Sequence, residues 1–409
     1  MLPENWTVTT VGEHADVLTG FAFKSAEYTS TEGDVKLLRG DNIAPHKLRW
    51  RDVKRFPSAR AAEVARYGLR AGDFVVAMDR TWLPSGVKIA EVTETDLPCL
   101  LVQRVARLRA KETLHQGLMK HLFSDHRFNQ YVRGVQTETA VPHISPADLR
   151  EYPIKLPPPF EQRRIADILS TWDRTIKTVE ALMANAHTRR AALLDELMDN
   201  GDWPLRTLSS FGEFSSAGVD KKTQDDEPAV RLLNFVDVLR RDFIDSQSLS
   251  HWVTASSRQI AKCNVHQGDV FFTPSSETRD DIAHSAVATE DIPDAAYSYH
   301  VVRFRLTEPW PLDFRAYAFK SKGFLKQAQA LCAGSGQRYV LSQKQFASIA
   351  IRVPPVDTQE MIGGLLRTID RECESLSIQF TALQAEKAAL MQQLLTGKRR
   401  VPLEKSKAA

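Results

Sequence analysis

Three known catalytic or metal-binding motifs are either incomplete or absent in this sequence. The run LPPPF at residues 156–160 is similar to the (N/D)PP(Y/F) site of amino-methyltransferases, but Pro157 stands where that reaction needs an Asn or Asp oxygen. The run GSG at residues 334–336 has no Lys-Ser/Thr ending and does not match a phosphate-binding loop. The 11 histidines include no HExxH pair for zinc. The sequence therefore argues against a self-contained methyltransferase, an ATPase and an HExxH zinc site.

Cysteine spacing and hydropathy restrict the class of protein further. The N-terminus has no basic stretch followed by an apolar core, and no run of about 18 uncharged apolar residues occurs. The cysteines show no CxxC spacing, so neither a zinc site nor a disulfide framework is expected. They are Cys99, Cys263, Cys332 and Cys373. We expect a soluble, cytoplasmic protein that does not bind a membrane.

The charge balance does not by itself indicate a partner. The net charge is +3, and basic residues outnumber acidic ones by only 22 to 19 in residues 1–156 and 18 to 17 in residues 203–353. A nucleic-acid-binding surface would therefore need its positive charge concentrated on one face.

The chain repeats itself at an offset of about 197 residues. The run WTVTTV at 6–11 corresponds to WPLRTL at 203–208, and GDFV at 72–75 corresponds to GDVF at 268–271. Near the end of each copy, TWDR at 171–174 recurs as TIDR at 368–371. Landmarks at one nearly constant offset indicate a duplicated structural unit, and a missed repeat would misplace the whole fold.

Each copy ends in a stretch whose apolar residues fall alternately four and three positions apart. This period is typical of a coiled-coil seam rather than of a general amphipathic helix. One basic residue, Arg190 or Lys387, interrupts both patterns at the same place, either as a device that sets the register or as a side chain that extends into solvent. The predicted seam residues are Ile165, Leu169, Trp172, Ile176, Val179 and Met183 in copy one, and Ile362, Leu366, Ile369, Cys373, Leu376, Phe380 and Leu383 in copy two.

Proline and glycine residues bound both predicted helices. Proline suits the first turn, and Gly201 and Gly397 stand just past the helix ends, where a left-handed backbone favours glycine. A helix of about 38 residues is roughly 57 Å long at about 1.5 Å per residue and needs a partner for its seam. We expect helix 161–199 to pair antiparallel with helix 358–396 of the same chain.

The region before each helix mixes short strand-like runs with turns. Residues 74–78, 88–92 and 301–306 have strand-like composition, whereas residues near 117–123 and 313–319 are helical in pattern. The predicted fold class is α+β, with two similar α/β regions, two long helices that pair as an antiparallel coiled coil, and an internal pseudo-twofold repeat. The strand order cannot be read from the sequence.

The entry into the first helix resembles a known family. The run PPFEQRRIA at residues 158–166 is similar to the PPxxEQxxIA-like helix entry of the specificity subunits of Type I restriction-modification systems. The run GSGQ at 334–337 resembles the family's approach to the second helix, and LLTG at 394–397 resembles its exit. The order of recognition region, helix, recognition region and helix also resembles the family over residues 1–400.

Both copies depart from this pattern. Thr358 replaces Glu161, and a glycine pair at 363–364 replaces Ala166 and its neighbour. A mid-helix glycine costs about 1 kcal/mol relative to alanine, so either another helix approaches closely there or that end is locally weak. Copy one has GVQTET at 134–139 in place of a clean GSGQ.

The resemblance implies a non-catalytic subunit that reads a bipartite sequence in double-stranded DNA, one half with each arm. The implied partners are two methylation subunits and the restriction/translocase subunits, which would bind S-adenosylmethionine, ATP and magnesium, whereas this chain would bind no cofactor. The implied domains are a first target-recognition domain at 1–156 (the first arm), spacer helix 1 at 157–201, a second target-recognition domain at 202–353 (the second arm), spacer helix 2 at 354–398, and a basic flexible tail at 399–409.

Polar side chains in the predicted loops are candidate DNA contacts, because Arg pairs well with the guanine edge and Asn or Gln with adenine. Each of them could equally be a solvated loop residue, so the prediction rests on the set. In the first arm the candidates are Lys24, Arg39, Asn42, Arg80, Thr81, Gln136 and Thr137. In the second arm they are Arg231, Asn234, Ser275, Ser276, Arg279, Gln337 and Arg338.

A second class of function fits the same helices. The chain could be a coiled-coil scaffold, or a solitary specificity-like protein, whose arms bind protein rather than DNA. Affinity for DNA that falls log-linearly with salt distinguishes the DNA reader from the scaffold.

Overall fold

The computed structural model describes residues 2–138, 140–335 and 338–402. It divides into two compact units, unit 1 (Met1–Val179 with Gln379–Ala409) and unit 2 (Glu180–Ile378). The α-helices in the described residues are α1 (Val11–His14), α2 (Gln116–Ser124), α3 (His126–Val135), α4 (Pro146–Glu151), α5 (Pro159–Asp199), α6 (Phe235–Arg240), α7 (Ser257–Lys262), α8 (Leu312–Tyr317), α9 (Lys322–Leu331), α10 (Gln343–Ser348) and α11 (Val356–Leu394). Within that part of the chain, no helix has the length and apolar character needed to cross a membrane.

Unit 1 is built on a four-stranded antiparallel sheet in the order β10-β7-β12-β2, beside a three-stranded sheet β11-β3-β6 whose β11–β3 pair is parallel. Strand β1 pairs with β13, so that the start of the first arm lies beside the strand that leads into α5. The strands are β1 (Thr7–Thr10), β2 (Ala15–Thr19), β3 (Val35–Leu38), β4 (Ile43–Ala44), β5 (Lys47–Leu48), β6 (Arg55–Phe56), β7 (Phe74–Ala77), β8 (Trp82–Leu83), β9 (Gly86–Val87), β10 (Ile89–Glu91), β11 (Cys99–Leu101), β12 (Val105–Ala110) and β13 (Pro153–Leu156).

Unit 2 repeats this construction with one strand added. Its main sheet runs β15-β23-β19-β21-β17, and the smaller sheet β18-β16-β22 again contains one parallel pair, β16–β22. The strands are β14 (Leu205–Thr207), β15 (Gly212–Ser215), β16 (Ala229–Leu233), β17 (Phe243–Ile244), β18 (Trp252–Thr254), β19 (Val270–Phe272), β20 (Ser275–Ser276), β21 (Ser285–Ala288), β22 (Ala295–Tyr297), β23 (Val302–Leu306), β24 (Ala333–Ser335), β25 (Arg338–Val340) and β26 (Ala350–Arg352). The matching strand order in the two units confirms the predicted α+β fold with an internal repeat.

Both long helices complete the core of each unit. In unit 1, Ile165 and Leu169 of α5 are buried in one cluster with Leu394 of α11 and Trp6 of the first arm. The burial of such a side chain stabilises the folded chain by about 1.5–3 kcal/mol relative to leaving it exposed. Neither arm therefore buries its apolar surface with its own strands alone.

In unit 2 the end of α5 and the start of α11 complete the core, the reverse of unit 1. Leu194 near the end of α5 is buried with Ile362 and Leu366 near the start of α11, in the cluster that also holds Phe304 of β23. A smaller cluster joins Ala186 of α5 to residues of α11 further along the chain. Because contacts that advance along α5 retreat along α11, the helices run antiparallel in this unit.

The described seam positions follow the predicted period. Every predicted seam residue from Ile165 to Met183 and from Ile362 to Leu383 is buried or half-buried. Burial is most complete at the start of each series, where an arm covers the helix, and the last residue of each series, Met183 or Leu383, is half-buried.

The Glu-Gln pair at the start of α5 ties the helix to its arm. The amide of Gln162 donates to the carbonyl of Pro157 at 2.9 Å and accepts from the backbone N–H of His115 at 2.7 Å. Glu161 accepts from the Trp6 indole at 3.2 Å and pairs with Arg400. Gln162 thus bonds backbone groups that lie outside the helix, whereas Glu161 bonds the side chains of Trp6 and Arg400.

In the second copy, Gln359 repeats one of these bonds, because it donates to the carbonyl of Pro354 at 2.9 Å. The expectation for the two terminal glycines is half right. Gly397 has a φ of +75°, whereas Gly201 lies outside the left-handed region. A Cβ on Gly201 would lie 2.1 Å from the Trp203 ring, so close packing rather than backbone conformation requires that glycine.

The glycine pair of α11 has a specific cause. A Cβ on Gly363 would lie 2.7 Å from the backbone nitrogen of Phe314 in α8, whereas a Cβ on Gly364 would meet nothing within 4 Å. Of the two explanations that the sequence left open, close approach therefore accounts for Gly363, and Gly364 is a helix-weakening residue.

Candidate nucleic-acid interface

Two loops of the first arm meet to form the first loop cluster, at residues 79–88 and 136–143. The backbone N–H of Arg80 donates to the carbonyl of Pro142 at 2.7 Å, and that of Thr137 donates to the carbonyl of His143 at 3.0 Å. Arg80 is exposed and has a φ of +46°, a backbone conformation that few side chains adopt without support from their surroundings. The structure thus brings together Arg80 and Thr137, two predicted contacts that lie far apart in sequence.

Trp82 and Arg133 belong to the same cluster, although the sequence did not single them out. The Arg133 guanidinium lies 4.7 Å from the centre of the Trp82 ring. Trp82 begins the short hairpin β8–β9, and Arg133 is an exposed residue of α3. An aromatic residue with an arginine over it, beside an exposed loop, is a signal that a search for polar residues alone does not detect.

Lys88 links the cluster to the turn at residues 39–42. Its ammonium group would lie 4.0 Å from a Cβ on Gly40, and Asp41 and Arg80 act on it electrostatically. Burial lowers the pKa of Lys88, and the opposite charge of Asp41 counteracts part of that effect. Arg39 is half-buried and lies 3.3 Å from Asp41, so its charge is partly neutralised.

The second loop cluster, at residues 275–281 and 333–340, is held by a small sheet. Strand β25 pairs with both β20 and β24, which sets Ser276 opposite Tyr339. The Arg338 guanidinium donates to the Ser275 hydroxyl at 3.1 Å, and the Arg279 guanidinium lies 4.9 Å from the centre of the Tyr339 ring. Arg279 and Arg338 are both exposed and carry the positive charge of this cluster.

Gly334 makes this sheet possible. It has a φ of +124°, and a Cβ there would lie 2.1 Å from the carbonyl oxygen of Arg338. Gly334 and Ser335 thus belong to a β-strand and not to a phosphate-binding loop. Ser276 is tied inward, since its hydroxyl donates to Asp281 at 3.2 Å.

Tyr299 and His300 extend the second cluster and were also missed. Their rings lie 3.9 Å apart between centres, and Tyr299 is half exposed. Burial lowers the pKa of His300, and the positive charges of Lys221 and Arg338 lower it further. These two cations therefore lie near the imidazole. The repeat contains a signal that could have indicated this site, because the position of the first arm that corresponds to His300 carries a basic residue, Arg104.

Three predicted contacts are buried structural residues instead. Asn42 accepts from the backbone N–H of Arg39 and donates to the carbonyl of Arg49, both at 3.0 Å. Asn234 donates to the carbonyl of Leu232 at 3.0 Å. Turns recruit such side chains because these bond the backbone locally. Thr81 is fully buried and donates to the carbonyl of Met78 at 2.9 Å. We therefore leave these three side chains out of the candidate surface.

The remaining predicted contacts lie elsewhere or are already engaged. Arg231 of β16 pairs with Asp294 at 3.1 Å and lies over the Trp252 ring, so the structure assigns its charge to a partner inside the second arm. Lys24 is exposed, away from the contacts that define the first loop cluster, and Gln136 is the half-buried residue that ends α3. Gln337 lies outside the described residues, as does most of the predicted tail at 399–409.

The described residues hold no group of three or more His, Cys, Asp or Glu side chains that is arranged for a metal ion. The four cysteines are free and buried. The two loop clusters thus have the chemistry of a polyanion-binding surface, with exposed guanidinium groups beside aromatic rings at equivalent places of the repeat.

Comparison with known proteins defines the class of this fold. The family model of the Type I restriction modification DNA specificity domain matches residues 3–185. The chain is 33% identical over 200 residues to the Type I restriction enzyme EcoAI specificity subunit of Escherichia coli, covering 48% of this chain and 33% of the relative. It is 29% identical over 177 residues to the MjaVIII specificity subunit of Methanocaldococcus jannaschii, covering 43% of this chain and 41% of the relative. The matches thus span less than half the length of either relative.

Solved structures extend the likeness of fold to nearly the whole chain. The S subunit of a Type I restriction-modification system from M. genitalium superposes with a TM-score of 0.55 at 13% identity, over 97% of this chain and 98% of that one. A chain from a study of complex assembly in the type I R-M system gives a TM-score of 0.60 at 16% identity, over 98% and 100%. The resemblance to Type I specificity subunits that the helix-entry motif indicated is confirmed.

Proposed function

We propose that this chain is the DNA sequence-specificity subunit of a Type I restriction-modification complex, in which each arm reads one half of a bipartite target. The observation that carries the proposal is the pair of loop clusters. Each presents exposed arginines, one of them stacked on an aromatic ring, in corresponding regions of two arms that otherwise share one framework. Reading two different half-sites needs a common scaffold with different loops.

Different side chains of the two clusters would contact bases and phosphates. Arg80 in the first cluster and Arg338 in the second are exposed and suited to the guanine edge in the major groove, whereas Lys88 and Arg133 suit phosphate contacts that position an arm. Trp82 and Tyr339 restrict the arginines stacked on them, which reduces the entropy lost on binding.

The partners and cofactors follow from the same proposal. Two methylation subunits and the restriction/translocase subunits would assemble on this chain, which itself would perform no catalysis. S-adenosylmethionine, ATP and magnesium would be bound by those partners, and the complex would act in the cytoplasm.

The proposal is tested by assembling the chain with its methylation subunits and mapping methylated adenines across a genome by long-read sequencing. A bipartite motif is expected. Arg338→Ala should relax the sequence preference in one half-site and Arg80→Ala in the other, each by a factor equivalent to about 1–3 kcal/mol. Arg163→Ala, an exposed residue of α5 away from both clusters, serves as the control and should leave the motif unchanged.

A scaffold for protein partners would give a different result. The isolated chain would then show no affinity for DNA that falls log-linearly with salt, and no methylated motif would depend on it. Loss of both half-sites on changing either arginine would also contradict the division of labour between the arms.

A further inference from the structure

In unit 1 a charged pair crosses between the two long helices. The ammonium of Lys387 in α11 lies 2.5 Å from a carboxylate oxygen of Asp173 in α5. The two side chains are 16% and 28% exposed, so the pair is largely shielded from water. Lys120 and His121 of α2 approach the other oxygen of Asp173, at 3.6 Å and 4.0 Å. Burial opposes ionisation of Asp173, but the bond from Lys387 prevails and lowers the pKa of the carboxyl group.

In unit 2 a second pair crosses between the same two helices. Arg190 of α5 donates to Asp370 of α11 at 2.5 Å and to Asp242 of the second arm at 2.6 Å. The hydroxyl of Tyr317 in α8 donates to the other oxygen of Asp370 at 2.6 Å. Every charge in this group therefore has a partner, and Arg190 does not extend into solvent.

The repeat relates the two pairs. Asp173 and Asp370 occupy the same position of the two copies, as do Arg190 and Lys387, at an offset of 197 residues. Each pair thus joins the acidic position of one copy to the basic position of the other, and each is anchored further by its own arm.

An apolar seam alone leaves the register open. A slide of seven residues sets apolar positions opposite one another again and moves one helix by about 10 Å along the other. The same slide would set Asp173 against Leu394 or Phe380, and Arg190 against Ser377 or Gly363. A largely buried charge that loses its partner strongly destabilises the fold, so the shifted registers are disfavoured.

We propose that Asp173–Lys387 and Arg190–Asp370 are positioning residues that select a single register of α5 against α11, and thereby the spacing of the DNA half-sites that the chain accepts. The inference deepens the proposed function and rests on it for the DNA readout only. It predicts that the pairs contribute more to register than to stability, because replacing a buried ion pair by apolar residues is often neutral or stabilising.

The register can be measured without DNA. Ala186 of α5 packs in one cluster with the native Cys373 of α11, so Ala186→Cys reports the native register through a disulfide under oxidation. Leu193 borders the same cluster, and a slide of about one heptad would bring position 193 to the place of Ala186 opposite Cys373. The yield of the Leu193→Cys disulfide relative to that of Ala186→Cys therefore reports the shifted register. In the wild-type background we expect the first disulfide to dominate.

The key variant combines Asp173→Leu and Lys387→Leu with Arg190→Leu, Asp370→Leu and Tyr317→Phe, the last change removing a hydroxyl that would lose its acceptor. The share of the shifted disulfide should rise about tenfold or more, which corresponds to a lost preference of about 1.4 kcal/mol. With the methylation subunits, methylation should spread to targets whose half-sites are separated by roughly three more or three fewer base pairs, at about 3.4 Å per step.

The matched control is the exposed pair Arg189–Glu372, which crosses between the same helices. Arg189→Leu with Glu372→Leu should change neither readout, since exposed pairs contribute little. If the full variant fails to fold, each pair is changed alone, and Lys387→Arg, which keeps the charge, should behave as wild type.

Retention of the native disulfide alone in a folded variant without the ion pairs would overturn the inference. A wild-type chain that shows the native disulfide but directs no bipartite methylation would instead count against the proposed function, so the two failures are distinguishable.

Discussion

The close contact between arm and long helix is built in opposite ways in the two units. In unit 1, Gly117 of α2 faces Ala166 of α5, and a Cβ on the glycine would lie 3.0 Å from that of Ala166. In unit 2 the equivalent arm position, at the offset of 196 that also relates Asp73 to Asp269, carries Asp313, and the equivalent helix position carries Gly363. A Cβ on Gly363 would lie 3.0 Å from that of Asp313. The small residue has moved from the arm to the helix, while the close approach is kept. A departure from the family motif that looked like a weakness is thus the compensation for a larger residue in the arm.

Other features of the arms are unchanged by the duplication. Arg109 forms two hydrogen bonds to Asp73 at 2.6 Å and 2.7 Å, and Arg305 forms two to Asp269 at 2.7 Å and 2.6 Å. Both aspartates also accept a backbone N–H of the turn that precedes the strand. The framework therefore tolerates exchange of packing partners more readily than loss of a buried ion pair.

The largest effect is expected where the two units agree. Asp73→Ala and Asp269→Ala should each destabilise their own unit by about 3 kcal/mol, because each leaves a partly buried arginine without its carboxylate. Peptide-resolved hydrogen exchange on the full chain measures the two units separately. Protection should fall in unit 1 for the first variant and in unit 2 for the second. Equal losses in both units for either variant would contradict a framework that is repeated independently.

The next prediction concerns the pH dependence of stability, which should differ between the two units. Burial lowers the pKa of His121 in unit 1 to about 4, while the equivalent position of unit 2 is Tyr317, which has no imidazole to titrate. Since the unfolded imidazole titrates near 6.5, the unfolded chain takes up the proton first, and the stabilisation present above pH 6.5 is lost as pH falls toward 4. The loss in unit 1 is on the order of 2–3 kcal/mol.

Hydrogen exchange at a series of pH values tests this difference. His121→Ala, which removes the imidazole, should flatten the pH dependence of unit 1 between pH 4 and 6.5 without changing unit 2. A slope that survives the substitution would assign the effect to another group.

A smaller effect tests the exchanged glycine. Gly363→Ala should destabilise unit 2 by about 1–3 kcal/mol, because its Cβ would overlap the backbone of α8, which cannot move away as a flexible side chain could. Thermal unfolding followed by the exchange of α8 peptides measures the loss. Partial recovery of stability by Asp313→Gly, which installs the arm residue of unit 1 in the same chain, would support the compensation, whereas no recovery would argue against it.

The smallest expected effect has the opposite sign. Gly364→Ala meets nothing within 4 Å and should stabilise α11 by up to about 1 kcal/mol. The unfolding midpoint of unit 2 should rise slightly. A decrease would show that Gly364, like its neighbour, is required by a close contact.

Local sequence determined the features that depend on period and on short motifs. The heptad spacing from Ile165 and from Ile362 predicted two long helices, and the constant offset predicted the repeated α/β regions, since each of these signals is carried by neighbouring residues. Family resemblance at the helix entry added the class of function. The Glu-Gln entry also ties the helix to its arm, although the sequence did not show to which groups it bonds.

Tertiary structure decided everything that depends on which distant residues meet. Asn42 and Asn234 were predicted to contact adenine. Both are instead buried in turns, where their amides hydrogen-bond the nearby backbone and are not available to a base. The strand order, the joining of Arg80 to the loop at 136–143, and the pairing of Arg190 with Asp370 all arise from contacts between residues far apart in sequence. Neither the period nor the composition of the sequence identifies such contacts individually. They are selected when whole apolar surfaces are buried together, which is where the free energy of folding comes from.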